Sequence, residues 1–305
     1  MSQQFRQIPV KVYLSTDENA PIVHSDKSNE VLSMLRACLV DGYGDKPSLG
    51  WEIPFIDNNK ITFRSQDPTS NKCILLLDAT RFNRTVFCYG YQNMTSISRG
   101  SGLFRQPRAN LPITRDTGNG YAMKWGVIGH EKAFIAWFFF ENGSGTCLYF
   151  GDVPSFISGD TGNTILLHSN TIETYNGYNS NSSSINFADG VFSSEWNTKT
   201  QVNIGISYNK FGTNSNSTRL DQNIDITSNP PIVTTQPVYL HTSNLPRAIL
   251  SGIFWPSAGI RIQDRPESQK YPLYGFDDYL IVPNDFTNTN SNDTMLVNTV
   301  SWIGT

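Results

Sequence analysis

The sequence predicts a mainly β protein: antiparallel sheets in a sandwich-like arrangement, one short N-terminal α-helix and long loops. Three observations carry this expectation. Charged residues make up only 16 % of the 305-residue chain while aromatics reach 12 %, a balance poor in the Glu, Lys, Arg and Ala that sustain surface helices. Short stretches of apolar–polar alternation recur along the chain, separated by Gly, Asn, Asp and Pro turn signals. Between them lie Asn/Ser/Thr-rich stretches without apolar pattern, at 170–190 and 211–231, which read as surface excursions. We expect a single β-rich structural domain over 1–305, with a loop-rich subregion at 165–235.

In order, IPVKVYL (8–14) alternates and predicts a strand. SDKSNEVLSMLRACLVDGYG carries the helix, because Val31, Met34, Leu35 and Cys38 fall on one face. Ser28 or Asp26 is the expected N-cap, Glu30 suits the first turn, and Gly42 or Gly44 ends the helix in a left-handed conformation. Strands are predicted at KITFRS (60–65), KCILLLDA (72–79), TVFCYGY (85–91), YAMKWGVIG (121–129), KAFIAWFFFE (132–141) and TCLYFGDV (146–153). GHEK (129–132) and ENGSGT (141–146) are the reversals between the last three. The middle strand of that meander is apolar on both faces, so it is expected to be covered on both sides. QVNIGISYNKF (201–211) alternates, and PIVTTQPVYLHT (231–242) reads as an edge strand because of Pro237. LPRAILSGIFWPSA (245–258) reads as a turn of helix or a buried loop, and YGFDDYLIVPNDF (274–286) and TMLVNTVSWIG (294–304) as closing strands.

The stretch DGYGDKPSLGWEIPF (41–55) concentrates glycines, acids and aromatics, as an active-site loop would. Asp41 and Asp45 have no partner in sequence that would make them catalytic. The reading is a fold corner, with Trp51 buried against the 31–40 helix. Cys38, Cys73, Cys88 and Cys147 form no CxxC pair and have no metal-type spacing with His, so buried free thiols are expected over a Cys73–Cys88 bridge. No GxSxG elbow, HExxH motif or phosphate loop occurs in the required context. His24, His130, His168 and His241 leave a nucleophile–His pairing open in principle, but His130 reads as an exposed polar turn residue. RDTGNG (115–120) and SGDTGN (158–163) resemble calcium loops yet lack the spaced oxygen ligands, and Asx-turns explain them. Asp152 and Asp277–Asp278 are carboxylates without a sequence partner, and the six tryptophans (51, 125, 137, 196, 255 and 302) read as core or interface residues. No catalytic, cofactor-binding or metal residue is assigned, no cofactor is expected, and an enzyme is not expected.

The net charge of −3 gives no electrostatic case for nucleic acid. MSQQFRQIPVKVYLSTD has no apolar core of the signal-peptide kind, and the longest apolar run is too short to span a bilayer, so no membrane partner is expected.

Three blocks carry a resemblance. ACLVDGYG (37–44) followed by Gly50–Trp51, Phe55 and Phe63–Arg64 is the first; YFGDVPSFISGD (149–160) is the second; LPRAILSGIFWPSAG (245–259), with Gly252, Trp255 and Pro256, is the third. In this order they resemble a family of tailed-phage and prophage virion structural proteins. In MTSISRGSGLF (94–104) Ser and Arg replace the family's acids, so no ligand or cation role carries over. The resemblance implies a structural component of a bacteriophage particle, in tail or baseplate. It also implies a symmetric oligomer whose partners are other phage structural proteins, located in the virion and assembled in the host cytoplasm. A carbohydrate-binding receptor-recognition module and a head decoration protein are the alternatives. A structural subunit should be stoichiometric in purified particles, whereas a binding module should retain host polysaccharide through Trp196 or Trp255.

Overall fold

The computed structural model describes residues 5–82, 85–104, 109–112, 120–139, 145–160, 162–168, 191–192, 205–207, 235–242, 245–256, 278–283 and 294–304. The excursions at 170–190 and 211–231, and most of the ENGSGT loop, lie outside these residues.

In chain order the elements are β1 (Arg6–Pro9), β2 (Lys11–Leu14), helix α1 (Ser28–Arg36), β3 (Trp51–Glu52), β4 (Ile56–Asp57), β5 (Lys60–Ser65), β6 (Ile74–Phe82), β7 (Thr85–Ser96), β8 (Arg99–Leu103) and β9 (Ala109–Pro112). They continue as β10 (Lys124–His130), β11 (Ala133–Phe139), β12 (Gly145–Asp152), β13 (Thr164–His168), β14 (Val191–Phe192) and β15 (Gly205–Ser207). The last are β16 (Thr235–Thr242), β17 (Leu245–Pro256), β18 (Tyr279–Pro283), β19 (Thr294–Asn298) and β20 (Ser301–Gly304). The protein is mainly β, as its composition and alternation predict, and every strand pairing is antiparallel.

Three sheets form. The first runs β3-β5-β6-β7-β8, with β4 also on β5 and β9 also on β7; the middle runs β14-β13-β12-β11-β10-β2; the third runs β15-β16-β17-β19-β18. The ribbon of β1 and β20 stands beside them. The side-chain period of two explains the layering. Phe134, Ala136 and Phe138 of β11 enter a core shared with Ile61 and Phe63 of β5, Leu75 and Leu77 of β6 and the inner face of α1. Ala133, Ile135 and Trp137 enter a second core shared with Leu240, Leu250, Ile253 and Val297 of the third sheet. The middle sheet is therefore apolar on both faces because both are covered, the outcome expected from AFIAWFFF.

α1 presents Val31, Met34, Leu35 and Cys38 to the first core, in the predicted spacing. Its ends differ from expectation. Lys27 is the N-cap and no side chain caps it; Ser28 already lies inside the helix. Glu30 instead folds back and accepts hydrogen bonds from the His24 backbone N–H and imidazole, both at 2.7 Å. At the other end the helix widens into a π-turn, Ala37–Asp41, in which the Gly42 N–H donates to the Ala37 carbonyl. Gly42 then takes φ 80°, and a Cβ there would overlap the Lys46 carbonyl.

Other boundaries moved for physical reasons. Residues 8–14 split at Val10, whose N–H bonds Val300 in the β19–β20 turn, so β1 and β2 serve different sheets. β16 as a whole is not an edge strand, since it lies between β15 and β17, but β15 pairs only Tyr239–His241, so among the described residues Pro237 has a strand partner on the β17 side alone. A register shift between Pro237 and Val238 absorbs the missing donor, as a bulge can. The 245–258 segment is neither helix nor loop: most of it is β17, a 12-residue strand. The four cysteines are buried and none is in a disulfide.

Candidate functional site

The most concentrated polar chemistry among the described residues lies where the β10–β11 turn meets the β5–β6 loop. Lys132 immediately precedes β11 and its backbone carbonyl accepts from the Asp152 N–H at 3.0 Å. Lys132, Asp152 and Thr164 thus extend the Phe134–Phe150–Leu166 row at one end of the middle sheet. The Asp152 carboxylate accepts from the Asn71 backbone N–H (2.8 Å), the Asn71 amide (3.3 Å) and the Thr164 hydroxyl (2.5 Å). The Asn71 amide also donates to Asn163. Asn71 belongs to the β5–β6 loop, so this knot ties the first sheet to the middle one. Asp152 keeps some exposed surface as a residue, yet its carboxyl is enclosed. Burial pushes the carboxyl up from its ordinary value, against the opposing effect of Thr164, Asn71 and the Lys132 charge.

Lys132 is only 5 % exposed, with its Nζ 3.9 Å from Asp67. Burial alone would raise the Asp67 carboxyl, but the Thr69 donors, Lys132 and Glu131 outweigh it and hold it low. His130 precedes this turn and is buried, not exposed as the hairpin position suggested. Its Nδ1 accepts from the Lys132 N–H at 3.1 Å, which leaves the proton on Nε2, and the ring stands edge-on to Trp302, centroids 5.6 Å apart. Desolvation, then the Lys132 and Arg6 charges, lower its pKa to about 4, against the Asp67 charge. The imidazole is neutral at physiological pH. No group of three or more His, Cys, Asp or Glu among the described residues is arranged to hold a metal ion.

The other built feature is a clamped loop tip. Ser155 is fully buried, and its hydroxyl donates to Asp160 at 2.6 Å and accepts from the Ile157 N–H at 3.1 Å. Asp160 takes two hydrogen bonds from the Arg247 guanidinium, 2.9 and 3.1 Å, and one from the Gly162 N–H, the Asx-turn expected at SGDTGN. The Phe156 N–H donates to the Arg247 carbonyl and the Ile249 N–H to the Pro154 carbonyl. Between these anchors Phe156 and Ile157 are 44 % and 49 % exposed. Phe5 packs edge-on against Phe156, and the Tyr239 ring centroid lies 6.3 Å from that of Phe156.

The residues singled out in sequence separate. Trp51 is 2 % exposed, but its ring partners are Phe134 and Phe150 of the middle sheet, and its indole N–H donates to the His130 carbonyl. Asp41 pairs with Arg36 at 2.7 Å and Asp45 is exposed. His24 bonds Glu30. Asp278 is exposed and its backbone carbonyl accepts from Thr299. Trp125, Trp137 and Trp302 are buried. Trp196, Asp277 and the side chains of His168, His241 and Trp255 lie outside the described residues. Asp67, Asn71, Lys132 and Arg247 went unread in sequence, because their partners lie tens of residues away. The tip had one local signal, two large apolar residues between Ser155 and Gly159.

The three blocks of the resemblance converge. Trp51 of the first touches Phe150 of the second, and Asp160 of the second is held by Arg247 of the third. Compared with known proteins, the chain matches no family model, no curated protein and no solved structure.

Proposed function

We propose that this chain is a structural component of a tailed bacteriophage particle, in tail or baseplate, acting through interfaces with other phage structural proteins in a symmetric assembly. The observation that carries the reading is the clamped tip. Large apolar side chains held in water at a fixed position suit insertion into a partner's pocket, because the entropy of ordering them is already lost before binding. The three blocks support it from a different side. They resemble virion proteins, and in this fold they meet across the layers, Trp51 against Phe150 and Asp160 against Arg247. The buried Asp152–Asn71–Thr164 knot is read as such a joint rather than as a catalytic site.

The test is mass spectrometry of purified particles. The chain is expected at a fixed stoichiometry to other tail proteins, and its absence from intact particles would overturn the reading. A Phe156→Ser/Ile157→Ser variant is expected to fold with unchanged thermal stability and to be excluded from particles.

A further inference from the structure

We propose that the outer face of the first sheet, around Tyr89 and Tyr91, is a binding site for a neutral, unbranched oligosaccharide of hexose rings. β7 sends Val86 and Cys88 into the first core, so Tyr89 and Tyr91 stand on the opposite face. Tyr89 lies opposite Leu76 and Tyr91 opposite Ile74. Both of those aliphatic residues are buried, and with Met94 they form an apolar floor against which Tyr89, Tyr91, Phe55 and Ile97 pack, each half-buried; the Tyr91 ring also covers Gly100 of β8. Two positions along one strand place their Cα atoms about 7 Å apart, a span that two consecutive sugar rings cover. Neither phenol has a hydrogen-bond partner among the described residues. Tyrosine in this setting offers an apolar surface to the C–H face of a sugar and a free hydroxyl to its rim.

The flanks supply the polar half of the recognition. Lys60 is paired with Asp78 at 3.1 Å on one side of the floor, and Arg64 with Glu52 at 2.6 Å on the other. Each pair is held in place and keeps further donors and acceptors for hydroxyls. Two cations balance two anions, so the face selects neither acidic nor basic ligands. A protein partner fits less well. Beyond the two rings, the apolar surface described on this face is Leu103 at 40 % exposure and the half-buried Phe55 and Ile97, a small patch. A stable protein interface needs roughly 800 Å² from each side around an apolar centre.

The site stands independently of the virion reading, and its test uses the isolated full chain. Maltoheptaose, cellohexaose and mannohexaose are titrated calorimetrically at up to millimolar concentration. Saturable binding of at least one is expected. Tyr89→Ala and Tyr91→Ala should each weaken it at least tenfold with melting temperature unchanged, while Tyr89→Phe keeps most of the affinity because it keeps the ring. Arg64→Gln, which leaves both rings in place, should weaken binding about threefold and remains informative should Tyr91→Ala fail to fold. Absence of binding by all three sugars, or wild-type affinity in folded Tyr89→Ala, would overturn the proposal. So would loss of self-association in these variants without any response to sugar, which would make the face a protein interface.

Discussion

Removing the Trp51 indole takes away a ring packed against Phe134 and Phe150 and leaves the buried His130 carbonyl without its donor. Cavity formation and the lost hydrogen bond act in the same direction. Trp51→Ala is therefore expected to cost about 3 kcal/mol or more in denaturant unfolding, and Trp51→Phe clearly less. His130 makes a prediction of a different kind. An unfolded histidine titrates near 6.5, whereas folded His130 is lowered to about 4. Between these values the unfolded chain holds a proton that the folded chain does not. The stability that comes from neutral His130 is complete above about pH 6.5 and is lost as the pH falls towards 4, up to about 3 kcal/mol. His130→Gln should flatten the dependence of melting temperature on pH in that window. Asp152 runs in the opposite sense. Its raised carboxyl costs stability progressively as the pH rises through the carboxylate range, so Asp152→Asn should gain relative to wild type from pH 4 upward.

At the scale of elements, β17 shows how a strand can hide in its sequence. LPRAILSGIFWP begins and ends near prolines and carries a glycine mid-run, which locally suggests a loop. Gly252 holds φ 74°, and a Cβ there would overlap the Trp302 indole of β20. The glycine is therefore a point of close approach between ribbon and third sheet, next to Ser251, whose hydroxyl donates to the Ile303 carbonyl. Gly252→Ala is expected to cost about 3 kcal/mol through strain and overpacking together, measured by thermal unfolding. The 155–160 tip depends on β17 in the same way. Arg247→Ala should destabilise by about 2 kcal/mol, because it leaves Asp160 partly enclosed without its cation. The Asp160→Asn/Arg247→Ala double variant should cost less than the sum of the single changes. α1 behaved differently, since its apolar face was legible from spacing while its N-cap was not. Glu30 bonds back to His24, a contact that no capping pattern encodes.

At the scale of the whole molecule, the middle sheet is the common wall of two cores. Amides of β11 and β12 should then be the slowest to exchange with solvent, slower than those of β5 or β17, since opening them requires both cores to part. Exchange that is fastest in β11 would contradict the layering. The sequence by itself determined the β class, the helix face, the positions of β5, β10, β11 and β12, and the burial of the middle strand on both sides. Alternation, helical spacing and turn residues are local, and each reports its own element. Tertiary structure alone decided that β16 has a strand on each side with a register shift next to Pro237, that 245–256 is a strand, that His130 is buried, and that Asp152 meets Asn71 while Asp160 meets Arg247. Those outcomes depend on which distant segment supplies the partner for a backbone donor or a charge, and pairing across tens to more than a hundred residues leaves no periodic trace in the chain.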